Sequence, residues 1–217
     1  MTRARPERGR AAALLGAVIL LGACGQQDEG RAEPGAAADT GVLRAPAVDD
    51  VRVIDVDMPE VPDEELFDQD GASVRLSDRA RDRTVVVNFV FTTCTTVCSP
   101  MTAIFARLQT ELGEAMERDV RLVSISLDPG ADTPEQLKRY ADRFDRREGW
   151  TFLTGRSDRV ASVLKALGGY AGAKERHTPL TLIGSNGRWR RVEGLAGPER
   201  LAEEVRALHA ARSVARH

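Results

Sequence analysis

The stretch Thr84-Val85-Val86-Val87-Asn88-Phe89-Val90-Phe91-Thr92-Thr93-Cys94-Thr95-Thr96-Val97-Cys98-Ser99-Pro100 decides the fold. Its first part, Thr84 to Phe91, is a nearly continuous β-branched and aromatic run, the pattern of a central strand buried on both faces. Its second part sets two cysteines four apart among polar threonines. From Pro100 to about Glu117, Met101, Ile104, Phe105, Leu108 and Leu112 then recur at helical spacing. The junction of a buried strand with a helix is where α/β sheets build their sites. If residues 94 to 98 form the first helical turn, both sulfurs share one face with Cβ atoms ~6 Å apart. They can then share one metal ion or one disulfide. A helix N-terminus lowers a thiol pKa, so both are expected to act readily as thiolates.

Working outward, Asp70-Gly71 lies between two short alternating runs in Leu66 to Leu76 and predicts a hairpin. Val120 to Leu127 is a second buried strand. Asp132-Thr133-Pro134-Glu135 carries a capping residue and a proline near the first turn, opening a helix through Leu137, Tyr140 and Phe144. A short strand at Trp150 to Leu153 and a helix at Arg159 to Leu167 follow. Leu180 to Gly184 and Arg188 to Val192 flank Ser185-Asn186-Gly187, a second hairpin signal, and Pro198 to Ala211 closes the chain as a helix. This order predicts an α/β protein with a thioredoxin-like fold: a mixed central sheet flanked by helices, with an N-terminal hairpin. Phe105, Tyr140, Phe144 and Trp150 are assigned to its core.

With 31 basic and 33 acidic side chains in 217 residues, a net charge of -2 lacks the cationic excess that nucleic-acid binding requires. At the N-terminus, Arg3, Arg5, Arg8 and Arg10 precede the apolar run Ala11 to Ala23. That run spans only ~20 Å as a helix against a hydrocarbon core of ~30 Å, so it reads as a signal peptide more readily than as a membrane span. Leu21-Gly22-Ala23-Cys24 resembles the bacterial lipobox, which implies Cys24 as the lipidated first residue of the mature protein. Ordinary cleavage, leaving Cys24 as a thiol, and an uncleaved anchor are the alternatives. Gly25 to about Ala47 has almost no large apolar side chain and predicts a flexible tether. The expected organisation is a signal peptide at 1–23, a tether at 24–47, one domain at 48–212 and a tail at 213–217. The expected location is the bacterial cell envelope, extracytoplasmic and membrane-anchored as a lipoprotein.

Two thiolates leave a metal site incomplete. Of the three histidines, His209 and His217 fall in the last helix and the tail, where surface roles are expected. His177 precedes Thr178-Pro179 and the Leu180 strand, a loop that in a thioredoxin-like sheet faces the start of the cysteine helix. It is the candidate third ligand.

These residues resemble the Sco/SenC proteins, copper-handling assembly factors for cytochrome oxidase, over about Val61 to Ala210. The resemblance rests on Val87-Asn88-Phe89, Phe91-Thr92-Thr93-Cys94, the CxxxC pair and Ser126-Leu127-Asp128-Pro129 with Asp132-Thr133-Pro134-Glu135. It extends through the Tyr140 to Phe144 helix, Leu153-Thr154-Gly155, and a histidine followed by threonine. It implies Cys94, Cys98 and His177 as copper ligands. Soft thiolates with one imidazole suit Cu(I), and a Cys₂His set with an open position also suits Cu(II). A structural zinc site would want a fourth protein ligand, for which the sequence offers no matching Cys or His. The chain departs from the family pattern at Glu175-Arg176, where an Asp usually precedes the histidine, and at Thr95, where many relatives have proline. Pro179 resembles the proline at the start of the corresponding thioredoxin strand, which keeps thiol-disulfide chemistry in view. Asp128 is read either as a group supporting the metal ligands or as the cap of a turn before Pro129.

The resulting expectation is a metallochaperone that delivers copper to the binuclear copper centre of cytochrome c oxidase. Its partners would be the copper-accepting subunit, another periplasmic copper chaperone, and the membrane through the lipid anchor. The rival is a thiol-disulfide oxidoreductase that uses Cys94 and Cys98 as a redox pair to reduce the cysteines of that subunit. A peroxidase ranks third.

Overall fold

In the computed structural model, residues 51–58, 62–169, 172–185 and 187–214 are described, all in the unit Arg44–His217. The expected signal peptide, Cys24, the tether, Asn186 and His217 lie outside the described residues. The elements are β1 (Arg52–Val56), β2 (Glu65–Asp68), β3 (Ser73–Arg75), α1 (Leu76–Ala80), β4 (Thr84–Val90), α2 (Cys98–Leu112), α3 (Ala115–Arg118) and β5 (Val120–Ser126). They continue with α4 (Pro134–Asp142), β6 (Trp150–Thr154), α5 (Ser157–Ala166), a 3-10 turn at Lys174–Arg176, β7 (Leu180–Ser185), β8 (Arg188–Glu193) and α6 (Pro198–Val214).

β4 lies inside a sheet of order β1-β8-β7-β4-β5-β6-β2-β3. It runs parallel to β5 and antiparallel to β7, so the sheet is mixed as expected. All of its side chains are buried because alternate residues feed two cores. Val86 and Val90 pack with Phe105 and Leu108 of α2, Tyr140 of α4, and Leu201 and Val205 of α6. Val85, Val87 and Phe89 pack with Val160, Val163 and Leu164 of α5. Each such side chain contributes about 1.5–3 kcal/mol when fully buried, which makes β4 the strand around which both layers assemble. One polar chain crosses this core: Trp150 Nε1–H donates to Ser124 Oγ at 3.0 Å, and the Ser124 hydroxyl donates to Asn88 Oδ1 at 2.6 Å.

Several details differ from the sequence reading. The helix expected over 100–117 begins at Cys98 and stops at Leu112, where Gly113 takes φ +50° and returns its N–H to the Gln109 carbonyl at 3.2 Å. Only glycine adopts that conformation at little cost. β1 was not expected. It is a half-buried edge strand paired antiparallel with β8, and its short mixed run gives a weak period-two signal. His209 is partly buried, with Nδ1 3.3 Å from the Thr84 hydroxyl, so its expected surface role gives way to a contact that joins α6 to β4.

Strand direction gathers three segments at one end of the sheet. Asn88 pairs with Thr181 in the antiparallel β4–β7 ladder, so the residues entering β7 stand beside those leaving β4. The Leu127 N–H donates to the Val90 carbonyl at 2.8 Å, which brings the loop after β5 to the same place. Residues 91–97, 127–132 and 174–179 therefore meet beyond the end of the β4 ladder.

Candidate metal centre

Cys94 lies before the helix, in a turn closed by its own N–H donating to the Phe91 carbonyl at 3.1 Å. Cys98 is the first residue of α2. The two cysteines therefore do not form a helical turn, contrary to the expectation from their spacing. They still meet, because the Cys98 N–H donates to Cys94 Sγ at 3.4 Å. The N-cap residue Val97 offers no side-chain hydrogen bond, and the Cys94 sulfur occupies the role that a capping oxygen normally fills.

This arrangement makes the thiols unequal, which corrects the expectation that both would ionise readily. Burial works to raise the Cys94 pKa, but hydrogen bonds from the Cys98 side chain and from the Thr96 and Cys98 backbones outweigh it and bring the thiol down to about 7. Burial first, and then the hydrogen bond to Cys94, push Cys98 up to about 12. Cys98 is 0% exposed and Cys94 9%. Cys94 and the wall of the helix entrance face a cleft of about 420 Å³ that also reaches Thr96, Lys174 and His177.

His177 follows the 3-10 turn, its N–H donating to the Lys174 carbonyl at 3.1 Å. Its ring stands edge-on to Phe89, 6.3 Å between centroids at 79°. Its Nε2 is buried without a hydrogen-bond partner among the described residues. Burial lowers the imidazole pKa, and a backbone hydrogen bond at Phe89 opposes it. A neutral imidazole with an unused buried nitrogen is suited to ligation. Among the described residues, however, no three His, Cys, Asp or Glu side chains stand close enough to hold a metal ion as they are. The donor types fit a soft or borderline ion, and the cleft brings Cys94 and His177 to one space without closing them into a coordination shell.

Asp128 accepts a hydrogen bond from the Lys174 ammonium, so its carboxylate is engaged by a cation of the turn that precedes His177. The residue missed by the sequence reading is Asp132. Thr133 caps α4 by accepting the Gln136 N–H at 3.3 Å, and Asp132 is buried instead, accepting both the N–H and the hydroxyl of Thr92 at 3.1 and 2.7 Å. Its place in the Asp-Thr-Pro-Glu helix opening masked that role.

Fold and site together define a thioredoxin-like α/β domain with a Cys-x-x-x-Cys dithiol at a strand-to-helix junction and a half-buried imidazole beside it. The chain belongs to the SCO1/SenC family, whose model matches residues 59–209. A SCO1 protein homolog of Bacillus subtilis (strain 168) is 42% identical over 90 residues, covering 41% of this chain and 46% of that protein. The match thus spans about half the length of this curated relative. Among solved structures, BsSco, a member of the Sco family of cytochrome c oxidase assembly proteins in which a disulfide switch was identified, is 30% identical. It superposes with a TM-score of 0.59, covering 70% of this chain and 94% of that one. Bradyrhizobium japonicum ScoI with copper bound is 25% identical, with a TM-score of 0.57, covering 66% and 96%.

Proposed function

We propose that this protein is an extracytoplasmic copper-binding metallochaperone, tethered through a lipidated Cys24, that delivers copper to the binuclear copper centre of cytochrome c oxidase. Cys94, Cys98 and His177 are the proposed ligands. The observation that carries this reading is the cleft shared by Cys94 and His177, with the imidazole Nε2 buried and unpartnered. Two thiolates and one imidazole hold Cu(I) or Cu(II) and leave a position open to an incoming ligand of the recipient. Copper-bound ScoI and the oxidase-assembly role of the Sco family support the same reading by relationship. Among the described residues no three donors stand close enough to hold an ion as they are, so loading draws the ligand side chains together.

Anaerobic titration of the reduced full chain with Cu(I) and Cu(II) tests the proposal. One equivalent of copper with sulfur-to-copper charge-transfer absorption is expected. Absence of stoichiometric binding in both oxidation states rules the reading out.

The unequal thiols favour a second reading as a thiol-disulfide reductase. The Cys94 thiolate attacks a disulfide of the target, forming a mixed disulfide and releasing one target thiol. Cys98 then loses its proton and attacks Cys94 Sγ, releasing the second thiol, so two electrons pass from this dithiol to the target. This route needs no His177. Retained reductase turnover by His177→Ala together with absent copper binding would select it.

A further inference from the structure

A contiguous set of polar contacts runs behind the cleft. Asp132 is 0% exposed, and its carboxylate takes three neutral donors. Oδ1 accepts the Thr92 N–H and hydroxyl at 3.1 and 2.7 Å, and Oδ2 accepts the Ser126 hydroxyl at 2.6 Å. Ser126 Oγ in turn accepts the Asp128 N–H at 2.9 Å, while the Asp132 N–H returns to the Asp128 carbonyl at 2.8 Å. The Asp128 carboxylate accepts from Lys174, whose ammonium also lies 5.6 Å from the Phe91 ring centroid. Lys174 opens the turn whose carbonyl receives the His177 N–H.

The backbone ladder cannot do this work. β4 stops at Val90 and β7 starts at Leu180, so the segments bearing Cys94 and His177 extend past the last paired residues. Local turn hydrogen bonds shape each segment there, and side chains tie one segment to another. Burying a carboxylate costs several kcal/mol unless its lone pairs are filled, and among the described residues the donors to this one are Thr92, in the loop after β4, and Ser126, at the end of β5. Thr92 is two residues from Cys94, and Lys174 is three from His177.

We propose that Asp132 is the positioning residue of this centre, fixing the Cys94 loop through Thr92 and the His177 turn through Ser126, Asp128 and Lys174. The inference rests on Cys94, Cys98 and His177 being the metal-binding set, but positioning is measurable without metal.

The test compares the full chain with Asp132→Asn, Thr92→Val and Lys174→Met. In reduced metal-free protein, the His177 imidazole NMR signals and the Cys94–Cys98 dithiol–disulfide equilibrium against a thiol buffer are recorded. Affinity for Cu(II) ions is measured alongside. All three variants are expected to move the His177 signals and to weaken Cu(II) binding by about 10–100-fold, the range for groups that orient a ligand. Thr92→Ser, which keeps the hydroxyl, restores wild-type values. In a His177→Ala background Lys174→Met has no further effect on Cu(II) affinity, because the two act through one ligand. If Asp132→Asn fails to fold, Thr92→Val and Lys174→Met carry the same test. Folded variants with unmoved His177 signals and a Cu(II) affinity within about twofold of wild type overturn the proposal. A wild-type protein that binds no copper overturns the proposed function instead, and the metal-free signals still decide the positioning role.

Discussion

The backbone N–H of Cys98 points at the sulfur of Cys94, 3.4 Å away, so the more accessible thiol receives the first N–H of α2 from the residue that carries the more buried one. One contact thus joins the start of a helix to the chemistry of a dithiol. It is one of the hydrogen bonds that bring the Cys94 thiol down, while burial first pushes Cys98 up, so two cysteines four residues apart differ widely in acidity.

Alkylation kinetics should reveal that difference. Cys94 should react with iodoacetamide with a midpoint near its pKa of about 7, while Cys98, pushed up to about 12, stays inert across neutral pH. Cys98→Ala removes a hydrogen bond that stabilises the Cys94 thiolate, so the midpoint should rise. Linkage gives the sign for stability of the reduced protein. The lowered Cys94 adds stability as pH rises from about 7 to 9.0, and the raised Cys98 withdraws it from 9.0 toward about 12. Equal reactivity of both thiols at neutral pH would contradict this assignment.

Replacing ligands should separate copper by oxidation state. Cu(I) is satisfied by two thiolates, so His177→Ala should keep most Cu(I) affinity and lose Cu(II) affinity by about 100-fold, equivalent to about 2.7 kcal/mol. Cys94→Ser and Cys98→Ser should weaken both. Unchanged Cu(II) affinity and absorption in His177→Ala would remove His177 from the ligand set.

Burial lowers the His177 pKa below its usual 6.5, so the folded protein holds the neutral ring more strongly than the unfolded chain does. Its contribution to stability is therefore complete above about 6.5 and lost as pH falls below that value. Chemical denaturation of wild type and His177→Asn between pH 5 and 8, a range chosen around the usual imidazole titration, should show a shallower acid slope in the variant.

Gly184 stands directly across from Trp189, and a Cβ there would lie 2.6 Å from the indole ring. Gly184→Ala should cost about 1–3 kcal/mol of folding stability by overpacking. Denaturant melts should detect it, and copper stoichiometry should be unaffected.

Cys24→Ser should block processing or release the protein from membranes, since the proposed anchor depends on that thiol. Mass spectrometry of the wild-type mature N-terminus is the check. An unmodified cysteine there would remove the lipoprotein assignment.

The sequence by itself determined the layers of the fold, because those signals are local. A run such as Thr84 to Phe91 has to be buried on both faces, and the spacing of Met101, Phe105 and Leu108 has to make a helix with one apolar side. It also singled out Cys94, Cys98 and His177 as candidates, since few residue types bind soft metals. Tertiary structure decided where α2 starts, and with it which thiol borders the cleft and which is wholly buried. That start depends on the turn after Phe91 and on a sulfur acting as cap, neither of which has a periodic signature. It also decided what Asp132 does. From sequence, Asp132-Thr133-Pro134-Glu135 shows only that a capping residue opens the helix; Thr133 is that cap, and the Asp132 carboxylate turns to Thr92, forty positions earlier in the chain. Long-range hydrogen bonds of this kind follow from strand order, because parallel β4 and β5 and antiparallel β7 bring their loops to one end of the sheet. No local pattern encodes that meeting.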